Sequence, residues 1–187
     1  MPLQPHCEST LSTARYGVLW PWLGASLLAV TGCTQQDVTF CRTASCADRV
    51  ITEIENASKS VHTAIYALTN DEIVTALEEA AARPGVDVRV VAERSQTDSA
   101  VMNSLISAGI PALYADKRSC SCGNVAQGIM HHKFTVIDSR IVLTGSYNYS
   151  CSAENCSDEH IVMMIDSRVA ESFESEFTYL YESGEQP

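Results

Sequence analysis

The sequence has little positive charge. Its 187 residues include 12 lysines and arginines against 23 aspartates and glutamates, giving a formal net charge of −11. A protein that binds nucleic acid non-specifically is usually basic, so any polyanionic ligand must be held by a local basic patch. Hydrophobic residues make up 45% and charged residues 19%, which is typical of a globular domain and excludes a disordered chain.

The sequence also lacks an apolar run that spans a membrane comfortably, which takes about 20 residues. A shorter uncharged stretch, Tyr16 to Gly32, follows Arg15 and ends in small residues, as export signals do. The ending Val30-Thr31-Gly32-Cys33 resembles the lipobox of bacterial lipoproteins, and this resemblance makes Cys33 the lipid-carrying mature N-terminus. An ordinary cleaved signal and an uncleaved anchor are the alternatives. All three predict export to the bacterial envelope or periplasm, two of them with a membrane anchor.

Eight cysteines are consistent with export, because disulfides form in oxidising compartments. Apart from Cys7 and Cys33, they lie in three close pairs: Cys41 and Cys46, Cys120 and Cys122, Cys151 and Cys156. A bridge within Cys120-x-Cys122 would be strained, which favours pairing between loops. We expect the last pair to act as a structural staple. A zinc site built from two pairs is the alternative.

Helical and strand patterns alternate along the rest of the chain. They predict one α/β domain, a mixed β-sheet sandwiched by helices. The expected segments are a signal peptide over 1–33, a linker over 34–45 and a catalytic domain over 46–183. Residues 116–128 are expected to form a loop.

The stretch from His131 to Ser150 reads as two strands joined by a tight turn at Ser139-Arg140. If the turn has two residues, the residue numbers of facing partners on the two strands sum to about 279. Side chains alternate along each strand, so polar residues from both strands then share one face. The predicted pairs are His131 with Asn148 and Lys133 with Ser146. Asp138 then points to the other face.

These four side chains predict an anion site with a reactive group beside it. Lysine supplies positive charge, serine and asparagine supply donors, and histidine acts as nucleophile, acid or base near neutral pH. Phosphate is the anion that suits several converging donors. His131 and His132 point to opposite faces of a strand and would make a poor pair of metal ligands.

The spacing of these residues resembles the HKD signature of the phospholipase D superfamily. The resemblance extends over roughly Val50 to Tyr181 and is closest to the single-motif branch. That branch includes Nuc-type bacterial endonucleases and the mitochondrial cardiolipin hydrolase (Zucchini) group. The signature positions are occupied by His131, Lys133, Asp138, Gly145, Ser146 and Asn148.

The resemblance also implies roles for these residues. His131 is the nucleophile in one subunit and the general acid and base in the other, so the enzyme is a homodimer that needs no metal or cofactor. Lys133, Ser146 and Asn148 hold the phosphate. Glu159 orients the His131 imidazole, although the family's flanking asparagines are replaced here by Ser157 and His160. Asp138 has a structural role.

Two substrates compete within this expectation. Nuc-like cleavage of DNA or RNA fits the domain size, whereas phospholipase D action on phosphatidyl lipids fits a protein held at a bilayer. A non-catalytic envelope binding protein is a third hypothesis. His62, His132 and His160 are expected to pack or lie at sheet edges, and Lys117-Arg118 is a solvated pair or part of a substrate groove.

Overall fold

A seven-stranded mixed sheet lies at the centre of the protein. In a computed structural model, the structure describes residues 34–115, 119–122 and 125–187, with side chains for all of these except 120–122 and 125–126. The nine strands are β1 (Gln35–Phe40), β2 (Ser60–Ile65), β3 (Asp87–Ala92), β4 (Ala112–Tyr114), β5 (Ser119–Cys122), β6 (Val125–Gln127), β7 (Lys133–Ile137), β8 (Ile141–Gly145) and β9 (His160–Ile165). The five helices are α1 (Cys46–Glu55), α2 (Asp71–Ala81), α3 (Ser99–Ser107), α4 (Cys151–Cys156) and α5 (Ser167–Glu182).

The strand order of the main sheet is β1-β9-β8-β7-β2-β3-β4. Strands β2, β3 and β4 are parallel and their crossovers are helical, whereas the pairs from β2 to β1 are antiparallel. The predicted α/β class, a mixed sheet between helices, is confirmed.

Each face of the sheet has its own core. Helices α1, α2 and α3 cover one face, where Ile54, Leu77 and Met102 pack against sheet residues such as Ile137 and Leu143. Helix α5 covers the other face, and its Ala170, Phe177 and Leu180 pack against Phe134, Val136 and Val142. Alternate residues of β7 and β8 therefore face different helices, which explains their nearly continuous apolar sequence.

Side chains at the helix starts explain where the longer helices begin. Ser45, Asn70, Asp98 and Asp166 each accept a backbone N–H from the first turn of α1, α2, α3 and α5, respectively. These caps satisfy donors that the helix itself cannot pair. Within the described ranges, no helix is both long enough and apolar enough to cross a membrane.

Three local expectations differ from the structure. The expected linker contains β1, which pairs along its whole length with β9. The backbone groups of β1 bond to β9, which would otherwise be the open outer strand of the sheet. The expected loop over 116–128 contains the two-stranded β5–β6 ribbon.

The third difference is the register of the hairpin. The pairs Phe134–Thr144 and Ile137–Ile141 sum to 278, not 279. The turn residues are Asp138 and Ser139, which both have left-handed backbone (φ of 54° and 50°), and Arg140 is an extra loop residue. Lys133 is therefore level with Gly145 rather than with Ser146, and the predicted pairs are wrong by one residue.

The cysteines also differ from expectation. Cys41 and Cys46 form a local disulfide rather than a bridge between loops. In the part of the chain that the structure describes, Cys151 and Cys156 are free thiols at the two ends of α4 and not a staple. The side chains of Cys120 and Cys122 lie outside the described set, as do Cys7, Cys33, Lys117 and Arg118.

Candidate active site

The polar residues of the motif lie together along one edge of the sheet, here meaning the side where the central strands end or begin rather than an outer strand. Strands β2 and β8 end at this edge, whereas the antiparallel β7 and β9 begin there. The direction of each strand therefore brings together residues that are far apart in sequence. This catalytic edge, as we call it, carries His131, Lys133, Ser146, Asn148, Glu159 and His160.

His131 lies just before β7, exposed at this edge. Its ring packs against the edge of the Tyr66 ring, with centroids 4.5 Å apart. Partial burial and the positive charges of Lys133 and His132 lower the pKa of His131. A lowered pKa favours the neutral imidazole, which is the form that a nitrogen nucleophile needs.

Lys133 is the half-buried cation of the edge. Its Nζ donates to the carbonyl of His131 at 3.0 Å and lies 4.9 Å from the centre of the Tyr66 ring. Burial lowers the pKa of Lys133, and the nearby charge of Glu159 opposes that shift. Glu159 thus acts on Lys133 here. Among the described residues it makes no hydrogen bond to His131, and its role in orienting that imidazole stays a prediction.

Ser146 follows directly after β8 and is tied to β9. Its N–H donates to the carbonyl of His160, and its hydroxyl accepts the N–H of His160, both at 3.2 Å. Gly145 has φ of 157°, and a Cβ there would overlap the carbonyl oxygen of His160. The glycine of the motif is therefore required by the close approach of β9.

Asn148 is half-buried between two buried tyrosines. Its Oδ1 is enclosed and has no hydrogen-bond partner among the described residues. Tyr149 beside it is buried, and its hydroxyl bonds to Thr135, which in turn bonds to Thr63. Burial raises the pKa of Tyr149 to about 12, despite the opposing effect of the Thr135 bond. These tyrosines form the packed base of the site.

Asp138 lies at the opposite edge of the sheet from His131. Its carboxylate accepts the N–H groups of Ser58, Lys59 and Ser60 and the hydroxyl of Ser58, at 2.7–3.0 Å. The motif aspartate thus fastens the β7–β8 turn to the start of β2, and five residues of β7 separate it from the motif histidine.

His62 and His132 have structural partners. His132 contacts Glu176 of α5 at 3.0 Å. His62 contacts Glu174 at 2.6 Å and stacks on Phe177, with ring centroids 4.9 Å apart. Neither points to the catalytic edge, whereas His160 lies on it.

Two residues of this edge were not predicted. The ring of Tyr66 contacts both the His131 imidazole and Lys133 Nζ, and the carboxylate of Glu93 accepts the N–H of Met130 at 2.8 Å, fixing the approach to the motif. Both follow directly after parallel strands, at the carboxyl ends where α/β sheets place their ligands. That position was the signal available in the sequence.

Fold and site together define an α/β protein with a histidine and a lysine beside each other at one edge of its sheet. The family description "Cardiolipin synthase, PLD-like domain" matches residues 50–181. The chain therefore belongs to the phospholipase D-like family, and the predicted resemblance is confirmed.

Two curated relatives carry the names cardiolipin hydrolase and phospholipase D. A "Mitochondrial cardiolipin hydrolase" of Chlamydomonas reinhardtii is 28% identical over 81% of this chain and 64% of its own length. A "Phospholipase D" of Rickettsia prowazekii is 28% identical over 78% of this chain and 68% of its own length. The chain thus spans about two thirds of these curated relatives.

Solved structures agree in fold. Nuc from Salmonella typhimurium, described as a phospholipase D family member, superposes with a TM-score of 0.71 at 29% identity, covering 81% of this chain and 96% of that one. NucT from Helicobacter pylori has a TM-score of 0.72 at 24% identity, covering 82% and 99%, and this likeness concerns the fold.

Proposed function

We propose that the protein is a phosphodiesterase that works through a covalent phosphohistidine. The observation that carries this proposal is the exposed His131 imidazole beside the half-buried Lys133, whose Nζ donates to the His131 carbonyl at 3.0 Å and lies over the same Tyr66 ring that the imidazole contacts. A cation and hydrogen-bond donors hold the phosphate, and the imidazole attacks it. The names of the relatives and the likeness to Nuc support the same chemistry.

The reaction has two displacements at phosphorus. A ring nitrogen of His131 attacks, the P–O bond to the leaving alcohol breaks, and a second imidazolium gives that oxygen its proton. The second imidazole then takes a proton from water, whose oxygen attacks phosphorus and releases His131. Lys133, Ser146 and Asn148 hold the phosphate oxygens in this scheme, which requires no metal.

The second imidazole is supplied by His131 of another copy. The chain carries one HKD motif and so provides one such histidine. Two copies that meet across a two-fold axis would place two motifs around one phosphate. We therefore propose a homodimer with a composite site.

A mixing experiment tests both ideas. Wild type and His131→Asn are unfolded together, refolded and assayed on bis(p-nitrophenyl) phosphate at several ratios, with and without EDTA. If the site is shared, activity falls as the square of the wild-type fraction and EDTA has no effect. A linear fall would refute the shared site. Turnover by pure His131→Asn would refute the nucleophile, and an inactive, well-folded wild type would favour a binding protein.

We propose nucleic acid as the substrate, and the position of β1 favours it. Cys33 is two residues before Gln35, so an anchor there lies within about 7 Å of that residue. Gln35 pairs with Ile165, at the sheet edge opposite the catalytic edge. The six residues of β1 separate the two edges by about 20 Å. An envelope-anchored protein would thus present its site away from its own bilayer.

The exposed side chain of Phe40 favours the second candidate, phospholipase D activity. Phe40 is 60% exposed at the catalytic edge, where an apolar ring suits an acyl chain as well as a base. Parallel assays on single-stranded DNA, duplex DNA, RNA and phosphatidyl lipid vesicles distinguish the two. Faster hydrolysis of vesicle lipid than of every nucleic acid would overturn our choice.

A further inference from the structure

His160 holds the hydroxyl of Ser146 at two points. Its backbone N–H donates to Ser146 Oγ at 3.2 Å, and its ring Nδ1 lies 3.2 Å from the same oxygen. In return the N–H of Ser146 donates to the carbonyl of His160, again at 3.2 Å. The oxygen therefore cannot move without breaking contacts to both the backbone and the ring of one residue.

The ring of His160 lies at the open rim of the catalytic edge. His160 is half-buried, begins β9 and directly follows Glu159. Its β1 partner is Phe40, whose exposed ring is 6.2 Å away between centroids. The family resemblance places asparagine at this position, so the imidazole is a departure of this chain.

We propose that His160 is a positioning residue that decides where the Ser146 hydroxyl sends its proton. The inference rests on the proposed function, in which Ser146 is a phosphate donor. A hydroxyl has one proton, and the Ser146 oxygen already accepts a backbone N–H. When Nδ1 is unprotonated, the hydroxyl donates to it and is lost to phosphate. When Nδ1 carries a proton, the bond reverses and the hydroxyl donates to a phosphate oxygen.

Binding of phosphate therefore selects the form of His160 that is protonated on Nδ1. An asparagine at this position would reach Ser146 with an amide N–H, which donates without any proton shift. A glutamine would place its amide near the position of His160 Nε2, the ring nitrogen farther from Ser146. A phenylalanine would keep an aromatic ring but supply no nitrogen. These three replacements separate the hydrogen bond from the packing of the ring.

Steady-state kinetics on bis(p-nitrophenyl) phosphate test the inference. We expect His160→Phe and His160→Gln to raise KM about five-fold, with a smaller change in kcat. Both variants lose the hydrogen bond from Nδ1–H that turns the Ser146 hydroxyl toward phosphate, and about five-fold corresponds to one net hydrogen bond. His160→Asn should restore KM. In Ser146→Ala, adding His160→Phe should have no further effect on KM. Equal KM values for the Phe and Asn variants, or additive effects in the double variant, would overturn the inference.

Nitrogen NMR with inorganic phosphate provides a readout that does not depend on turnover. The Nδ1 signal of His160 should move from the acceptor to the donor range when phosphate saturates the full-length protein, and Ser146→Ala should abolish the change. An unchanged signal under saturation refutes the inference. If the signal moves but no phosphodiester is cleaved, the proposed function fails and the inference about His160 stands.

Discussion

At the scale of single residues, the site depends on backbone contacts as much as on reactive groups. Gly145 lets β9 approach β8 so closely that His160 can hold Ser146, whereas Asp138 fixes the far turn of the same hairpin. Neither needs to touch the substrate. Two substitutions separate these structural effects from chemistry.

Replacing Gly145 by alanine should be severe. The new Cβ would overlap the His160 carbonyl, so we expect the unfolding free energy to fall by about 3 kcal/mol or more. Most of the activity should be lost as well. Gly109→Ala is the control, because φ there is 85° but the space is open, and it should cost about 1 kcal/mol. Equal costs in urea unfolding would contradict the steric argument.

Asp138 should make stability depend on pH. Burial raises the pKa of Asp138, but its hydrogen bonds from Ser58, Ser60 and Lys59 outweigh that and hold the pKa below its ordinary value. The carboxylate therefore stabilises the fold fully at pH values above the pKa of Asp138 in the unfolded chain, about 4. This stabilisation is lost as the pH falls through the lower pKa of Asp138 in the folded protein.

Asp138→Asn should cost about 1–2 kcal/mol at pH 7 and little near pH 2. Urea unfolding across this range measures the difference, with the exposed Glu171→Gln as control. A cost that does not change with pH would argue against the charged carboxylate as the stabilising group.

At the scale of elements, strand β1 supports the catalytic edge from outside. It pairs with β9, and the N–H of Cys41 donates to the carbonyl of Glu159 at 2.9 Å. The disulfide from Cys41 to Cys46 then fastens the end of β1 to the start of α1. The segment expected to be a linker thus holds Glu159 and His160 in place.

Removing this disulfide should loosen the site before it unfolds the domain. Cys41→Ala with Cys46→Ala should lower the unfolding free energy by about 2 kcal/mol, from the entropy of the short closed loop, and raise KM more than it lowers kcat. Cys151→Ser with Cys156→Ser is the matched control, since both side chains are exposed and form no disulfide with any cysteine whose side chain is described. If the control pair has the larger effect on KM, β1 does not support the site.

At the scale of the whole molecule, the proposed anchor at Cys33 would limit what the enzyme can reach. Such an anchor would be joined to the start of β1 at Gln35, which lies at the edge opposite the site, and a net charge of −11 repels an anionic bilayer. Substrate in the same membrane should therefore be poorly accessible.

Lengthening the tether tests this geometry. The full chain is placed in vesicles of phosphatidylglycerol and phosphatidylcholine, with or without 20 Gly-Ser residues after Cys33, a linker that reaches roughly 25 Å. Cleavage of added DNA should be the same for both forms, and any lipid hydrolysis should appear with the long tether alone. Lipid hydrolysis by the native tether at a rate matching DNA cleavage would contradict the proposed orientation.

Periodic patterns in the sequence were sufficient for the α/β class and for most elements of the main sheet. The signature spacing was sufficient for the family and for expecting the motif residues at the neighbouring ends of β7 and β8. Local patterns of this kind indicate which residues of a strand share a face. The direction of the strands then brings such residues together at one edge of the sheet. They missed β1, because an exposed edge strand has no apolar alternation to reveal it.

The sequence by itself determined the chemistry available to this protein: one histidine, one lysine and their donors, in the spacing of the HKD signature. The tertiary structure alone decided how these groups are held. Left-handed backbone at Asp138 and Ser139 shifted the hairpin register by one residue, and Tyr66, Glu93 and His160 joined the site from other strands. Contacts between strands far apart in the chain depend on turn conformation and sheet order, which no short stretch of sequence specifies.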